Sequence, residues 1–195
     1  MPTNLNQNQV DKLGNTLIYL ANNVGDFGIT KALKLLFILE ENSIQTFGVP
    51  FFGFDFKVWQ YGPVIQPVYE AFKNTNMPLL NAYVKRADYN PDEFEAVAEF
   101  NDDEFSANDI EMIKKIVLFA RHKTAHDLVK ITHGDGSLWK NAAIENNLLD
   151  GFNKKTIATS DVIIDFSTLL EKGSYLYERY KDSIEFIQFT NTLKA

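Results

Sequence analysis

Lys31-Ala32-Leu33-Lys34-Leu35-Leu36-Phe37-Ile38-Leu39 is the stretch on which the fold turns. Its run Leu35–Leu39 could pass for a buried strand. Few of its residues are β-branched, however, and Leu33, Phe37, Glu40, Ile44 and Phe47 repeat at the helical spacing. The stretch therefore predicts a helix over about 30–47, with Thr30 as its N-cap and Phe47-Gly48 as its end. An apolar run flanked by one apolar stripe is what the most enclosed helix of a bundle carries.

Working outward, Val10, Leu13, Leu17, Leu20, Ala21 and Val24 form the stripe of a preceding helix that Asp26 and Gly28 interrupt. After Gly48 the chain reads as loop and short extended segment through Phe54, Phe56 and Val58, followed by a turn at Trp59-Gln60-Tyr61-Gly62-Pro63. Pro63 suits the first turn of the next helix, with Gly62 extended before it; that helix carries Val64, Val68, Tyr69 and Phe72. Alternation at Leu80, Ala82 and Val84, the turn Asn90-Pro91-Asp92, and alternation at Phe94, Ala96, Ala98 and Phe100 predict a β-hairpin over about 80–100.

Ser106 with Asp109 approximates a capping box for a helix with Ile110, Ile113, Ile116, Val117 and Ala120 on its core face. Thr124 can cap another holding Leu128, Val129 and Ile131, and Leu138–Ile144 suits a short helix around Trp139. Ser160 or Asp161 is expected to open one long last helix through Val162, Phe166, Leu169, Leu170, Leu176 and Tyr180, weakened at Gly173. The tail beyond Ser183, with Ile184, Phe186, Ile187, Phe189 and Leu193, is too apolar to stay in water unless it docks, in cis or on a partner. The expected fold is mainly α: a compact helical bundle around the central helix with one small hairpin, a single domain over 1–195.

Composition narrows the function. The 195 residues are 45% hydrophobic and include 16 Phe, enough for a substantial core. Without cysteine there is no disulfide, thiolate metal site or Cys nucleophile. Met1–Val10 is polar and carries no signal h-region, and Leu35–Leu39 is too short to cross a bilayer, so the cytoplasm is the expected compartment. The net charge is −7, and ten acids and no base fall between Ala87 and Ile113, which leaves the remainder at +3. Such a surface repels phosphate backbones and attracts basic partners, or serves simply as a solvated face. Bases are scattered, and a helix pair around Thr124 would present only Lys130 to a groove, so direct DNA binding is not expected.

Chemistry-bearing patterns are sparse. His122 and His126 have a metal-ligand spacing, with Asp127 and His133 nearby, which keeps a metal-dependent hydrolase open as an alternative. Lys123-Thr124 falls between two helices, though, and the pair holds no general-base Glu; His122 at a helix C-terminus and His133 donating to a carbonyl are the structural readings. No G-x-S-x-G elbow and no phosphate-loop glycine motif occurs, so no catalytic residue and no cofactor is assigned. The rings Phe47, Phe51, Phe52, Phe54, Phe56 and Trp59 either plug the bundle beneath a loop or form an exposed anchor patch.

Three segments together carry a resemblance: Lys31-Ala32-Leu33-Lys34-Leu35-Leu36-Phe37; then, after Gly48, Pro50 and Phe52, Val58-Trp59-Gln60-Tyr61-Gly62-Pro63-Val64; and Thr132-His133-Gly134-Asp135-Gly136-Ser137-Leu138-Trp139-Lys140-Asn141-Ala142. This order, over about residues 10–145, resembles the Panacea antitoxin domain, also called SocA-like or phage-associated. Val58 replaces that family's usual Ala, Phe37 its common Tyr, and Leu138 the Pro before the Trp. The resemblance implies an antitoxin, not an enzyme, that neutralises a protein toxin encoded beside it by direct contact. Some members add a DNA-binding module, and none is apparent here. Lys31, Leu35, Leu36, Trp59, Tyr61, Gly62, Pro63, Thr132, His133 and Trp139 match the family motif. They read mostly as scaffold, with Trp59 and Tyr61 fixing the turn against the central helix and His133 and Trp139 locking the later loop. Partner contacts are expected instead from Phe51, Phe52 and Phe54, from the acids Asp92, Glu93, Glu95 and Glu99, and from the tail.

Overall fold

The computed structural model describes residues 5–193, so the first four residues of the polar N-terminal stretch and the last two of the tail lie outside the described residues. Among the described residues eight α-helices and two antiparallel strand pairs occur in the order α1 (Gln7–Asn23), α2 (Ile29–Phe47), β1 (Lys57–Trp59), β2 (Gly62–Val64), α3 (Gln66–Lys73), β3 (Val84–Arg86), β4 (Phe94–Ala96), α4 (Ala107–Ala120), α5 (Ala125–Thr132), α6 (Leu138–Glu145), α7 (Leu149–Asn153) and α8 (Tyr175–Leu193).

The apolar run forms the helix it predicts. Every residue from Lys31 to Glu40 is buried, because α2 has α3, α4, α5, α8 and β2 packed around it. Burial of each large apolar side chain contributes about 1.5–3 kcal/mol, so α2 organises the core. Gly28, not Thr30, is the N-cap, and it offers no side chain to the first N–H groups. The helix ends at Gly48, which is left-handed (φ 62°) and lies against the Leu176 backbone, where a Cβ would collide.

Buried Glu40 extends the reach of α2. Its carboxylate accepts from Phe52 N (2.8 Å) and Gly53 N (3.1 Å), which pins the phenylalanine loop to the helix. Burial pushes its pKa up to about 7, against those two bonds and the nearby Lys12 charge. Phe51, Phe52 and Phe54 are accordingly buried, and Phe56 sits in the core between Phe37 and Phe166. These rings plug the bundle and do not form an exposed anchor patch, which corrects that reading of Phe51, Phe52 and Phe54.

Three other expectations are revised. Gly62 and Pro63 do not start a helix; they form β2, paired Val58↔Pro63 and Trp59↔Gly62, and α3 begins at Gln66 with Pro67 in its first turn. The acidic hairpin exists but is shorter than 80–100, pairing Val84↔Ala96 through Arg86↔Phe94. The long last helix from Ser160 is broken up. Residues 158–164 run extended along β1, through Val58 N to Val162 O (2.9 Å), Gln60 N to Ala158 O (2.9 Å) and Ile164 N to Phe56 O (2.9 Å). A short 3-10 turn follows at Phe166–Leu169, and Gly173 takes φ 79° just before α8 starts.

The tail is helical and docks in cis. Leu176 lies on Gly48 and Ile187 on Gly53, while Phe186 and Phe189 face outward. The side chain of Leu193 lies outside the described residues.

The capping box predicted at Ser106–Asp109 is formed, and Thr124, expected as a cap, forms one as well with Asp127. Asp109 also pairs with Lys12 of α1 (3.1 Å). Ser106→Ala is expected to lower stability by about 1 kcal/mol, read as a lower urea midpoint at unchanged slope. Ser137 caps α6 through Lys140 N (3.2 Å), so the helix starts at Leu138 without a proline there.

Candidate functional site

The motif residues from four parts of the chain meet around the β1–β2 turn. Trp59 donates its indole N–H to Ser160 O (3.2 Å), and Trp139 donates its own to Trp59 O (2.9 Å). Ser160 Oγ donates to Val58 O (2.6 Å), and Gln60 donates to Phe152 O (2.8 Å). His133, the residue that follows α5, stacks on Trp139 with ring centroids 3.9 Å apart. Thr132, which precedes it at the end of α5, is buried and donates its hydroxyl to the Leu128 carbonyl. Together the bonds made by the turn tie it to α6, to α7 and, twice, to Ser160. Leu35 and Leu36 contribute only apolar contacts, both fully buried.

Tyr61 departs from expectation. It is 72% exposed at the tip of the turn, so it does not fix the turn against α2; Trp59, half-buried, is instead edge-on to Tyr69 of α3 at 5.1 Å. Clefts lie on both sides of Tyr61. One, of about 580 Å³, reaches from the N-terminus of α2 to Trp59, Val64 and Tyr69. The other, of about 640 Å³, reaches from Thr30 to His133, Trp139 and Phe152.

Two nitrogens beneath the turn are held away from water. Lys34 is 1% exposed, and burial alone depresses its pKa to about 7. His133 Nε2 is buried without a hydrogen-bond partner. Burial first, and the Lys34 charge second, pull its pKa down to about 4, while a hydrogen bond with the Tyr61 backbone opposes them. Both nitrogens lie against Gly62, at φ 109°, where a Cβ would collide with Lys34 Nζ and Cε and with His133 Nε2. The glycine is required there by space as well as by backbone angle. Lys31, also buried, donates to Gly25 O. Nothing in the sequence pattern flags Lys34, because a lysine on an apolar helix ordinarily extends its charge to water.

The other candidates lie apart. His122 and His126 are exposed, and Asp127 is engaged with Thr124 as the α5 cap, which holds its carboxyl below the usual range. Among the described residues no group of three or more His, Asp or Glu side chains is placed to hold a metal ion. Of the hairpin acids, Asp92 and Glu99 are exposed. Glu93 is half-buried and accepts from Tyr89 and Asn90, and Glu95 pairs with Lys85 (2.9 Å). No described helix is long and apolar enough to cross a membrane.

No curated protein and no solved structure matches the chain. A family described as "Antitoxin SocA-like, Panacea domain" matches residues 33–140. That span opens inside α2 and closes just after Trp139, so it takes in the turn, His133 and most of the core. More than half of the chain carries the match, and the protein belongs to the antitoxin SocA-like, Panacea domain family.

Proposed function

We propose that this protein is a non-catalytic cytoplasmic antitoxin that neutralises a cognate protein toxin, encoded by an adjacent gene, through direct protein–protein binding. The family match over residues 33–140 carries this reading. The test is co-expression with the neighbouring reading frame. Rescue of growth and co-purification of the two chains are expected; a harmless neighbour, or a toxic one that this chain neither binds nor silences, would end the proposal.

The contact surface is proposed to include the acidic segment. Asp88, Asp92, Glu99, Asp102 and Asp103 are all exposed, and no base but Lys85 pairs with the hairpin acids among the described residues. An unneutralised acidic face accelerates encounter with a basic partner. Neutralising Asp92, Glu99, Asp102 and Asp103 together is expected to slow toxin association about tenfold at low salt. The difference should shrink at high salt. Stopped-flow rates indifferent to both would leave these acids as a solvated face. Direct DNA binding is not part of this reading.

A further inference from the structure

The cleft of about 580 Å³ on the α2 side of Tyr61 has features that toxin binding does not explain. Its floor is the N-terminus of a 19-residue helix whose cap, Gly28, supplies no side-chain acceptor. The first N–H groups of that helix, at Ile29 and Thr30, line the cleft and find no backbone partner. Such an end carries a partial positive charge and several converging donors. One turn further along the same face, Lys34 reaches the cleft. It is 1% exposed, and among the described residues it has no ion-pair or hydrogen-bond partner.

A buried ammonium without an anion costs free energy that folding alone gives no reason to bear. The two observations are independent, and both favour a negative group in this cleft.

The surrounding charges agree. Lys31, Lys73 and Arg86 also line the cleft, against the acids Asp26 and Asp92, so cations prevail there although the chain as a whole is at −7. Lys31 is occupied by Gly25 O, Arg86 by the carbonyls of Phe72 and Pro91, and Lys73 lies 5.7 Å from the Tyr69 ring centre. Among the described residues Lys34 is thus the buried cation of the cleft that has no ion-pair or hydrogen-bond partner. Trp59, Tyr61 and Tyr69 supply aromatic walls beside it. Aromatic faces beside a cationic pocket suit a planar body that carries an anionic group. The volume falls within the range of small-ligand sites.

We propose that this cleft binds a small phosphate-bearing ligand of the mononucleotide class, its phosphate on the α2 N-terminus and Lys34 and its base against Trp59 and Tyr61. The inference is separate from toxin neutralisation and is tested without a toxin. The full chain, labelled with 15N, is titrated with AMP, with adenosine and with inorganic phosphate. AMP is expected to shift the amides of Gly28, Ile29 and Thr30 and the Trp59 indole saturably. Phosphate should move the helix-end amides alone, more weakly. Adenosine should bind at least about tenfold less tightly than AMP, the loss of one charge-assisted contact set.

Lys34→Met is expected to weaken AMP about tenfold or more while the rest of the spectrum keeps its dispersion. Thr30 is exposed, so Thr30→Glu should leave the fold intact and place a competing carboxylate at the helix end, with a loss of the same size. It keeps the test decisive should Lys34→Met misfold. No saturable shift with AMP at millimolar concentration, or equal shifts in both variants, would overturn the proposal. So would shifts scattered over the exposed lysines. None of those outcomes bears on whether the chain silences a toxin.

Discussion

Lys34→Met is expected to make the protein more stable. Lys34 holds its ammonium inside the core with no counter-charge, and burial alone accounts for its depressed pKa of about 7. Replacing a buried charge by an apolar side chain of similar length characteristically gains about 1–4 kcal/mol. The gain depends on pH, with a definite sign. A lysine in the unfolded chain titrates near 10.5, whereas here it titrates near 7. Between those values the unfolded state binds the extra proton, so the native protein gains stability as pH rises through that window. Each unit is worth at most about 1.4 kcal/mol.

Below about pH 7 the lysine is charged in both states and its burial cost is complete. His133, the neighbouring titratable group, is already neutral above about pH 4 and does not offset it. The variant should therefore exceed the parent most at pH 6, and the two should converge towards pH 10. Denaturant midpoints across that range measure the difference directly. A variant no more stable than the parent at pH 6 would show that the ammonium is compensated.

Gly62→Ala is expected to do the opposite, lowering stability by about 2–4 kcal/mol. Two costs combine. At φ 109° a residue with a Cβ is strained. The added methyl also meets the Lys34 ammonium and the His133 ring, which must both shift to admit it. Gly136→Ala is the control. Gly136 is also left-handed, at φ 80°, but nothing lies within 4 Å of where its Cβ would sit. Its cost should be the backbone cost alone, about 1 kcal/mol. Thermal melts of the two variants separate crowding from conformation, and equal losses would rule out crowding at Gly62.

Those two residues mark the boundary of what the sequence conveys. α2 was legible because an apolar run with few β-branched residues has one good conformation in a bundle. The Ser106–Asp109 capping box and the Thr124 cap were legible because each is complete within four residues. The hairpin was legible from alternation around Asn90-Pro91. The segment 158–164 was not, since its extended form is imposed by β1, about a hundred residues earlier. Val162, Phe166 and Leu169 fit a helical stripe until that pairing is known. The site was legible as a set of motif residues, Trp59, Gly62, His133 and Trp139, but not as a geometry. That Tyr61 points outward while Lys34 points inward depends on packing that no local pattern encodes.

The bonds that close the turn from 158–164 bear on how the protein is made. Trp59 Nε1 to Ser160 O and Ser160 Oγ to Val58 O join residues 101 and 102 positions apart, and Lys57 reaches Asp161 at a separation of 104. A ribosome must deliver about a hundred residues beyond the turn before any of these can form. Contacts so distant in sequence form slowly, because loop closure must precede any reward. The helices can assemble on α2 as they emerge, but the turn that gathers the family's motif residues is secured only once residues 158–164 have followed. A nascent chain that stops short of residue 158 would thus carry α1 to α7 without the finished turn.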